Sequence, residues 1–307
     1  MKTLRRRALL TGAAATFTAA AAEYLSLRGL FDHRQRARPL PQASLRYRAA
    51  LAALERDHAL DALVHIGHST HLLALGSARI LTDPWFNDPA HGGIDHARGP
   101  AVGPESVGRL DVIAISHEHP DHLDPKALDR LDKRALCLLP TRQLAARMRK
   151  LGFAEVEWLA PYASLEVGSI RISAVPALHD VHEIGFVLER AATRVYFAGD
   201  TALHPEMDAI AERFAPTAAI LPVDGSRLDG DRRWVMNPAE AANAAQRLGA
   251  GVVIPSHAEA HVRDPLLSLW LHPVPEAARR FRRQLQARRL DIRCHLPAPG
   301  AAVSLKI

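Results

Sequence analysis

Cysteine and aromatic residues are scarce in this chain of 307 residues, which has two cysteines and 5% aromatic side chains. Two thiols, Cys137 and Cys294, cannot build the dense disulfide framework of many small secreted domains, and the sequence leaves open whether they pair. The chain also has no Walker loop, no dinucleotide-binding glycine fingerprint and no Ser/His/Asp nucleophile arrangement. Nucleotide-dependent chemistry and serine-type hydrolysis are therefore not indicated.

The remaining composition is that of an ordinary globular protein, with 48% hydrophobic and 23% charged residues. These fractions exclude intrinsic disorder, collagen and a multi-span membrane architecture. The length allows one large domain or two modest ones, with ample material for a buried core.

Positive charge is concentrated at the N-terminus. The net charge is +6, but residues 1–48 hold ten Lys/Arg and two acidic residues, which leaves 29 basic and 31 acidic residues in 49–307. The body of the protein is therefore nearly neutral, and we expect no nucleic-acid partner.

The basic segment itself resembles an export signal. Arg5-Arg6-Arg7-Ala8-Leu9-Leu10 precedes a weakly apolar stretch that ends at Ala22, as in a twin-arginine (Tat) signal. We predict a signal at 1–22, a basic arm and helix at 23–57, a domain at 58–307, and a periplasmic or exported protein. The alternatives are a disordered tail and an uncleaved anchor at the inner-membrane surface, although about 15 apolar residues are short for a span.

Short β-rich runs alternate with helical patterns after residue 60. Gly, Pro, Ser or Asp ends each run, and Asn237-Pro238-Ala239-Glu240 is a helix start that Gly249 closes at the other end. The stretch 84–108 is rich in Gly, Pro and His, and we expect its part 85–104 to cover a functional site. The predicted strands are 63–66, 71–75, 79–81, 112–115, 170–175, 184–189, 194–198, 218–223 and 251–254, and the predicted helices are 43–56, 141–151, 205–213, 237–249 and 279–289.

The strongest chemical signal is Ser116-His117-Glu118-His119-Pro120-Asp121-His122-Leu123-Asp124, directly after the apolar run 112–115. Three imidazoles and the Asp121 carboxylate at a strand end cannot be buried in an apolar core without a strong partner. Each unpaired buried polar group costs several kcal/mol, about 2–7. Neutral imidazole and carboxylate are ligands that suit zinc, manganese and iron.

Three further strand candidates end in the same kind of residue: His179, Asp200 and His257. Loops at the carboxyl ends of strands can converge on one site, so this regularity predicts a shared metal centre. His65, His68 and His71 are ambiguous, and His182 is a candidate pocket residue. The histidines discounted as ligands are His33, His58, His91, His96, His204, His261, His272 and His295.

His117-x-His119-x-Asp121-His122, followed by His179, Asp200 and His257, resembles the metal-binding signature of the metallo-β-lactamase-fold hydrolases. The resemblance covers about residues 60–305 and implies an α/β fold, a four-layer αβ/βα sandwich with two metal ions. It assigns His117, His119 and His179 to one ion, Asp121, His122 and His257 to the other, and Asp200 to both. Zinc is the expected metal, with manganese or iron as alternatives.

Local motifs are similar to one branch, which holds N-acyl-phosphatidylethanolamine phospholipase D and ascorbate-6-phosphate lactonase. The chain departs from that branch where His257-Ala258-Glu259 replaces His-Trp-Gly and Pro222-Val223-Asp224-Gly225 replaces Pro-Ile-Gly. Both segments border the site in the family, so the substrate inference is weakened. The motifs are Gly67-His68-Ser69-Thr70, Leu81-Thr82-Asp83-Pro84, Pro176-Ala177-x-His179, Tyr196-Phe197-Ala198-Gly199-Asp200-Thr201 and Asn237-Pro238-x-Glu240-Ala241.

The resemblance implies hydrolysis by a hydroxide that bridges the two ions. Asp121 would hold a metal and accept a proton, while His68 and secondarily His182 would donate one to the leaving group. A structural hydrogen bond is an equal alternative for His68. Phosphodiesters of small molecules or lipids are the first substrate class, lactones or other esters the second. The competing functions are a non-catalytic metal-binding envelope protein and di-iron electron transfer. No oligomeric state is predicted.

Overall fold

The computed structural model describes residues 35–90, 93–226, 234–269 and 271–306. The predicted signal at 1–22, the first part of the arm at 23–34, and two of the discounted histidines, His33 and His91, lie outside these ranges. Within the described ranges, no helix is both long and apolar enough to span a membrane.

Two seven-stranded sheets, numbered here by strands in chain order, lie at the centre of the fold. The first sheet has the spatial order β18 (Ala302–Ser304), β2 (Asp61–Gly67), β3 (Thr70–Leu75), β4 (Ala78–Thr82), β7 (Val112–Ala114), β8 (Leu136–Leu139) and β9 (Val156–Trp158). The second has the order β10 (Ser164–Val167), β11 (Ile170–Pro176), β12 (Ile184–Arg190), β13 (Thr193–Phe197), β14 (Ala218–Pro222), β15 (Val252–Ser256) and β17 (Arg293–Cys294). Two short ribbons pair β1 (Gln35–Arg36) with β5 (Asn87–Asp88), and β6 (Ile94–His96) with β16 (Ala260–Val262).

Helices cover the outer face of each sheet, which confirms the predicted αβ/βα sandwich. One apolar cluster fills the space between the sheets, and two others lie under the helices. On the first sheet lie α1 (Pro41–Arg56), α2 (Pro125–Leu128) and α3 (Arg142–Lys150); on the second lie α4 (Glu206–Phe214), α5 (Pro238–Leu248) and α6 (Ala277–Ala287). Two short 3-10 helices span Pro104–Ser106 and Leu267–Leu269.

Burial on both faces explains why the central strands are continuous apolar runs. In β3, Leu73 and Leu75 enter the core between the sheets, whereas Leu72 and Ala74 enter the core under the helices. A strand that is buried on both faces has no solvent side on which polar residues could alternate.

Helix α1, which the sequence places in the basic arm, packs onto the domain. Tyr47 is fully buried, and its hydroxyl donates a 2.8 Å hydrogen bond to the carbonyl of Val107. Ala43 and Leu54 belong to the core under the first sheet. The described part of the arm from residue 41 is therefore one of the layers of the sandwich and not a free extension.

The structure shows how α5 begins and ends and whether the two cysteines pair. Asn237 Oδ1 accepts hydrogen bonds from the N–H groups of Ala239 and Glu240, and Asn237 N donates to Glu240 Oε2, which is the predicted capping box. Gly249 ends the helix with a φ of 65°. Cys137 is buried as expected, and Cys137 and Cys294 are both free thiols.

Strand direction gathers the functional loops at one edge of the sandwich. In the first sheet, β4, β7 and β8 are parallel, and β2 shares their direction because β3 is antiparallel to both β2 and β4. In the second, β13, β14 and β15 are parallel, and β11 shares their direction because β12 is antiparallel to both β11 and β13. The loops that follow these strands carry the site.

Candidate metal centre

The seven residues predicted as metal ligands come together between the carboxyl ends of four strands. His179 follows β11, Asp200 follows β13 and His257 follows β15. The loop after β7 supplies the other four, His117, His119, Asp121 and His122. Six of these side chains, together with His68, form two adjacent groups of donor atoms, and within each group those atoms lie within 4.8 Å of one another. A third group, of Asp83, His117 and His122, shares one residue with each of the two.

The first of these, the solvent-side group, consists of His117, His119 and His179. His119 Nδ1 lies 3.0 Å from His117 Nε2 and 3.2 Å from His179 Nε2. The His119 side chain is 22% exposed, whereas His117 is fully buried. This group therefore reaches the surface on one side.

The second, the buried group, consists of Asp121, His122, His257 and His68. All four residues are buried, and three imidazoles surround one carboxylate oxygen. The distances from Asp121 Oδ2 are 3.4 Å to His257 Nε2, 3.6 Å to His68 Nε2 and 3.8 Å to His122 Nε2. His68 is thus the one residue of the group for which the sequence predicted a proton-donor role instead.

Asp200 lies between the two groups. Its Oδ2 is 2.8 Å from His257 Nε2, 3.0 Å from His122 Nε2 and 4.0 Å from His117 Nε2. Burial by itself would raise the pKa of Asp200, but the charges of His122 and His257 hold it well below its usual range. A single carboxylate therefore faces ligands of both groups.

The donor set fits divalent cations. Asp200 Oδ1 and both ring nitrogens of His68 are buried and have no hydrogen-bond partner among the described residues. Buried polar atoms are almost always paired in native proteins, so unpaired buried nitrogen and oxygen atoms in this site call for a ligand. Imidazole nitrogen with carboxylate oxygen suits zinc, manganese or iron.

Asp83 holds the ligand loop in place. Its Oδ2 lies 2.7 Å from His122 Nδ1 and accepts from Ser116 Oγ at 2.7 Å, and its Oδ1 accepts from Ser116 N at 2.7 Å. Similarly, Asp224 Oδ2 lies 3.1 Å from His257 Nδ1. Carboxylates behind metal-binding imidazoles fix the ring orientation and raise ligand basicity.

Glu183 is a fully buried residue of the site that sequence reasoning missed. Its Oε1 lies 3.1 Å from His117 Nδ1 and accepts a 2.7 Å hydrogen bond from Asp200 N. Burial raises the pKa of Glu183 to about 7. Gly199 makes room for it, because a Cβ at that position would stand 2.2 Å from Glu183 Oε1.

Three non-glycine residues of the site have left-handed backbone conformations: His68 with φ 54°, Asp83 with φ 33° and His257 with φ 51°. Such conformations persist where the surrounding structure enforces them, and they concentrate at functional sites. Here each one turns a side chain at a strand end toward the centre.

The buried His65 and His71 and the partly exposed Glu259 form a polar chain behind His68. His65 Nδ1 lies 3.2 Å from His71 Nδ1, and His65 Nε2 lies 3.0 Å from Glu259 Oε2, which also accepts from the backbone N–H of His68 at 3.2 Å. Burial would raise the pKa of Glu259, but the adjacent His65 lowers it to about 2. Two of the three histidines left ambiguous by the sequence, His65 and His71, therefore lie behind the donor groups, whereas the third, His68, belongs to the buried group.

The remaining predicted residues lie outside both groups. His182 is exposed, and its role as a proton donor stays a prediction. His96 stacks on the buried Trp85 with ring centroids 3.6 Å apart, and its Nδ1 lies 2.7 Å from Asp88 Oδ1, so it is structural. The other discounted histidines that the structure describes, also in neither group, are His58, His204, His261, His272 and His295.

Comparisons with known proteins agree with this geometry. Residues 78–258 match the family model described as "Beta-lactamase superfamily domain". The UPF0173 metal-dependent hydrolase of Korarchaeum cryptofilum is 32% identical over 196 residues, covering 62% of this chain and 80% of the relative. That of Rubrobacter xylanophilus is 28% identical over 255 residues, covering 78% of this chain and 94% of the relative.

A solved structure shares the fold at lower sequence identity. The isothiocyanate hydrolase from Delia radicum gut bacteria superposes with a TM-score of 0.65 at 19% identity, covering 79% of this chain and 98% of that one. The matched family region includes the seven predicted ligands, and the curated relatives are metal-dependent hydrolases. The chain therefore belongs to the beta-lactamase superfamily and is a metal-dependent hydrolase of the UPF0173 family.

Proposed function

We propose that this hydrolase holds two divalent ions and cleaves phosphodiesters. The observation that carries the proposal is the pair of adjacent donor groups with Asp200 between them, 2.8 Å from His257 Nε2 and 4.0 Å from His117 Nε2. Two neighbouring ions would supply the charge that stabilises both the attacking and the leaving oxygen of an in-line displacement. This chemistry suits phosphorus centres in particular.

The ligand sets follow the two groups. We assign His117, His119 and His179 to one ion, Asp121, His122 and His257 to the other, and Asp200 to both. Zinc is our first choice, because it accepts imidazole and carboxylate in four-coordinate sites, and manganese and iron remain alternatives.

Asp121, His68 and Trp85 bear on proton transfer and on access of water at the proposed centre. Asp121 is placed to accept a proton within the centre, as its Oδ2 faces three imidazoles. Burial lowers the pKa of His68 to about 4, and a ring that is neutral near pH 7 does not favour the proton-donor role expected from the sequence. Trp85 is fully buried with its ring 5.1 Å from that of His68, and it shields this side of the centre from water.

The substrate class rests on the motifs shared with the phospholipase D and lactonase branch. We put phosphodiesters first because the chain combines the local motifs of that branch with all seven predicted metal ligands. The polar Asp224 and Glu259, where that branch has apolar residues or glycine, argue for a head group different from that of the known lipid substrate. Lactones and other esters are the next class.

Hydrolysis of bis(4-nitrophenyl) phosphate by the purified chain tests the proposal. We expect turnover with Zn²⁺ or Mn²⁺, none with a chelator, and a loss of at least about 100-fold in kcat/KM in His119→Ala, since even outer partners of metal ligands contribute about 10–100-fold. His58→Ala, which removes an exposed imidazole outside both groups, is the matched control. A fully metal-loaded protein that is silent on phosphodiesters but cleaves a lactone would contradict the substrate class.

We also propose that the protein is exported through the Tat system. Tat signals are read by a receptor and not by charge alone, so exchanging the Arg5-Arg6-Arg7 run for lysines should keep the protein in the cytoplasm. Immunoblots of periplasmic, membrane and cytoplasmic fractions measure this. Unchanged fractionation of the lysine variant would contradict a twin-arginine signal, and recovery of the uncut chain in the membrane fraction would indicate an anchor.

A further inference from the structure

The imidazole of the buried His68 makes no hydrogen bond to any described residue. It is fully buried, and neither Nδ1 nor Nε2 has a hydrogen-bond partner among the described residues. Its nearest oxygen, Asp121 Oδ2, is 3.6 Å from Nε2, which is too long for a hydrogen bond. Its ring centroid lies 4.1 Å from that of His257. An imidazole in such a place needs a partner that the described part of the chain does not supply.

The spacing around Asp121 is that of ligands on a common ion. Atoms that bind one tetrahedral zinc at about 2.0–2.1 Å stand about 3.3–3.4 Å apart. From Asp121 Oδ2, the distances to His257, His68 and His122 are 3.4, 3.6 and 3.8 Å. His68 is therefore placed as closely as the two histidines that the family signature assigns to this ion.

We propose that His68 is a fourth protein ligand of the ion in the buried group, and that Glu259 positions it. The proposal rests on the two-ion centre described above and adds a ligand to it. Glu259 Oε2 accepts a hydrogen bond from the His68 N–H at 3.2 Å and is itself held by His65 at 3.0 Å. Glu259 thereby stabilises the left-handed turn, with φ 54° at His68, that directs the ring at Asp121.

The two ions then differ in accessibility. Asp121, His122, His257 and His68 would offer the buried ion four donors, Asp200 would add a fifth, and all five residues are buried. The solvent-side group offers three histidines and Asp200, and its His119 is 22% exposed. The buried group thus offers an ion more donors and less access to solvent than the solvent-side group does. The geometry thus assigns tight retention to the buried ion and substrate contact to the solvent-side ion.

The test is metal binding by the full chain. Apoprotein prepared with a chelator is titrated with Co²⁺, followed by its visible d–d absorption, and zinc retained after dialysis is measured by mass spectrometry. We expect wild type to bind two equivalents and to retain one through dialysis. His68→Asn should weaken the retained equivalent at least about 100-fold and change its Co²⁺ spectrum, because losing a ligand should exceed the 10–100-fold effect of outer partners.

Asparagine is chosen because it tolerates left-handed backbone better than most residues, and circular dichroism of the apoprotein checks that the variant folds. Glu259→Ala should weaken the retained equivalent about 10–100-fold. Glu259→Gln should recover part of this loss, because its amide oxygen can still accept from the His68 N–H. His119→Ala should abolish the weaker equivalent and leave the retained one intact, and His58→Ala should match wild type.

The outcomes separate this proposal from the two-ion centre itself. If wild type binds two ions and folded His68→Asn retains one with unchanged affinity and spectrum, His68 is not a ligand while the proposed centre stands. If wild type binds no ion at all, both fail. If His119→Ala, and not His68→Asn, loses the retained equivalent, the assignment of tight binding to the buried group is wrong.

Discussion

Asp200→Ala is expected to lower both the metal content and the hydrolytic rate, the latter by at least about 100-fold. The reason is position, since Asp200 Oδ2 is 2.8 Å from His257 Nε2 and 4.0 Å from His117 Nε2 and so faces both donor groups. Without this carboxylate, the cationic centre loses the one negative charge that both groups share. Metal analysis after dialysis, together with kcat/KM on the phosphodiester, measures the effect.

A surface carboxylate provides the comparison for this variant. Glu212→Ala removes an exposed acid on α4 and should leave metal content and rate unchanged. Full metal content with full activity in Asp200→Ala would show that Asp200 does not bridge the two groups. Loss of activity with both ions retained would instead limit its role to the reaction step.

Asp83→Ala is expected to cost about 3–5 kcal/mol of unfolding free energy, as when one partner of a buried ion pair is removed. Asp83 is fully buried. Its carboxylate accepts hydrogen bonds from Ser116 N and Ser116 Oγ and lies against His122 Nδ1, each at 2.7 Å. Burial opposes a charge on His122, but the neighbouring carboxylates raise its pKa well above the usual value. Asp83→Ala therefore leaves the charged His122 ring and the two Ser116 donors buried without their carboxylate partner.

Urea unfolding of the metal-free protein measures this cost, and metal affinity should fall about 10–100-fold as well. Asp291→Ala, which removes an exposed acid, is the control. Asp83→Asn should be milder, because its amide oxygen can still accept from Ser116. An Asp83→Ala protein as stable as Asp291→Ala would mean that the loop around Ser116 is held by other contacts.

Much of the sandwich could be predicted because its strands are buried on both sides. Runs such as Val112–Ala114 and Val252–Ser256 lie in parallel parts of the sheets and are apolar except for the final Ser256. The helix after Asn237 is equally clear, since its cap and its closing Gly249 are local features. His or Asp after each strand then indicated the candidate ligands, because the carboxyl ends of these strands share one edge.

Other features depend on contacts that sequence spacing does not reveal. Glu183 precedes an apolar strand like any surface acid, and only the fold places it 3.1 Å from His117 Nδ1. The edge strand β9 has only one buried residue, Val156, so its sequence lacks the apolar run of a central strand. His65 and His71 are direct partners across the β2–β3 hairpin, a pairing that depends on register and not on separation.

The outermost strand of the first sheet has a consequence for how the centre is assembled. β18 pairs with β2, and Leu305 just after it is fully buried. β2 ends at Gly67, directly before His68, and β18, which flanks this side of the site, is the last strand along the described part of the chain. A chain still emerging from the ribosome has β2 with an open edge, and folding of the sheet waits for a contact between distant segments. Completing the sheet beside His68 therefore requires pairing of residues 302–304 with residues 62–64, which are far apart along the chain, and this makes it a late and slow step of folding.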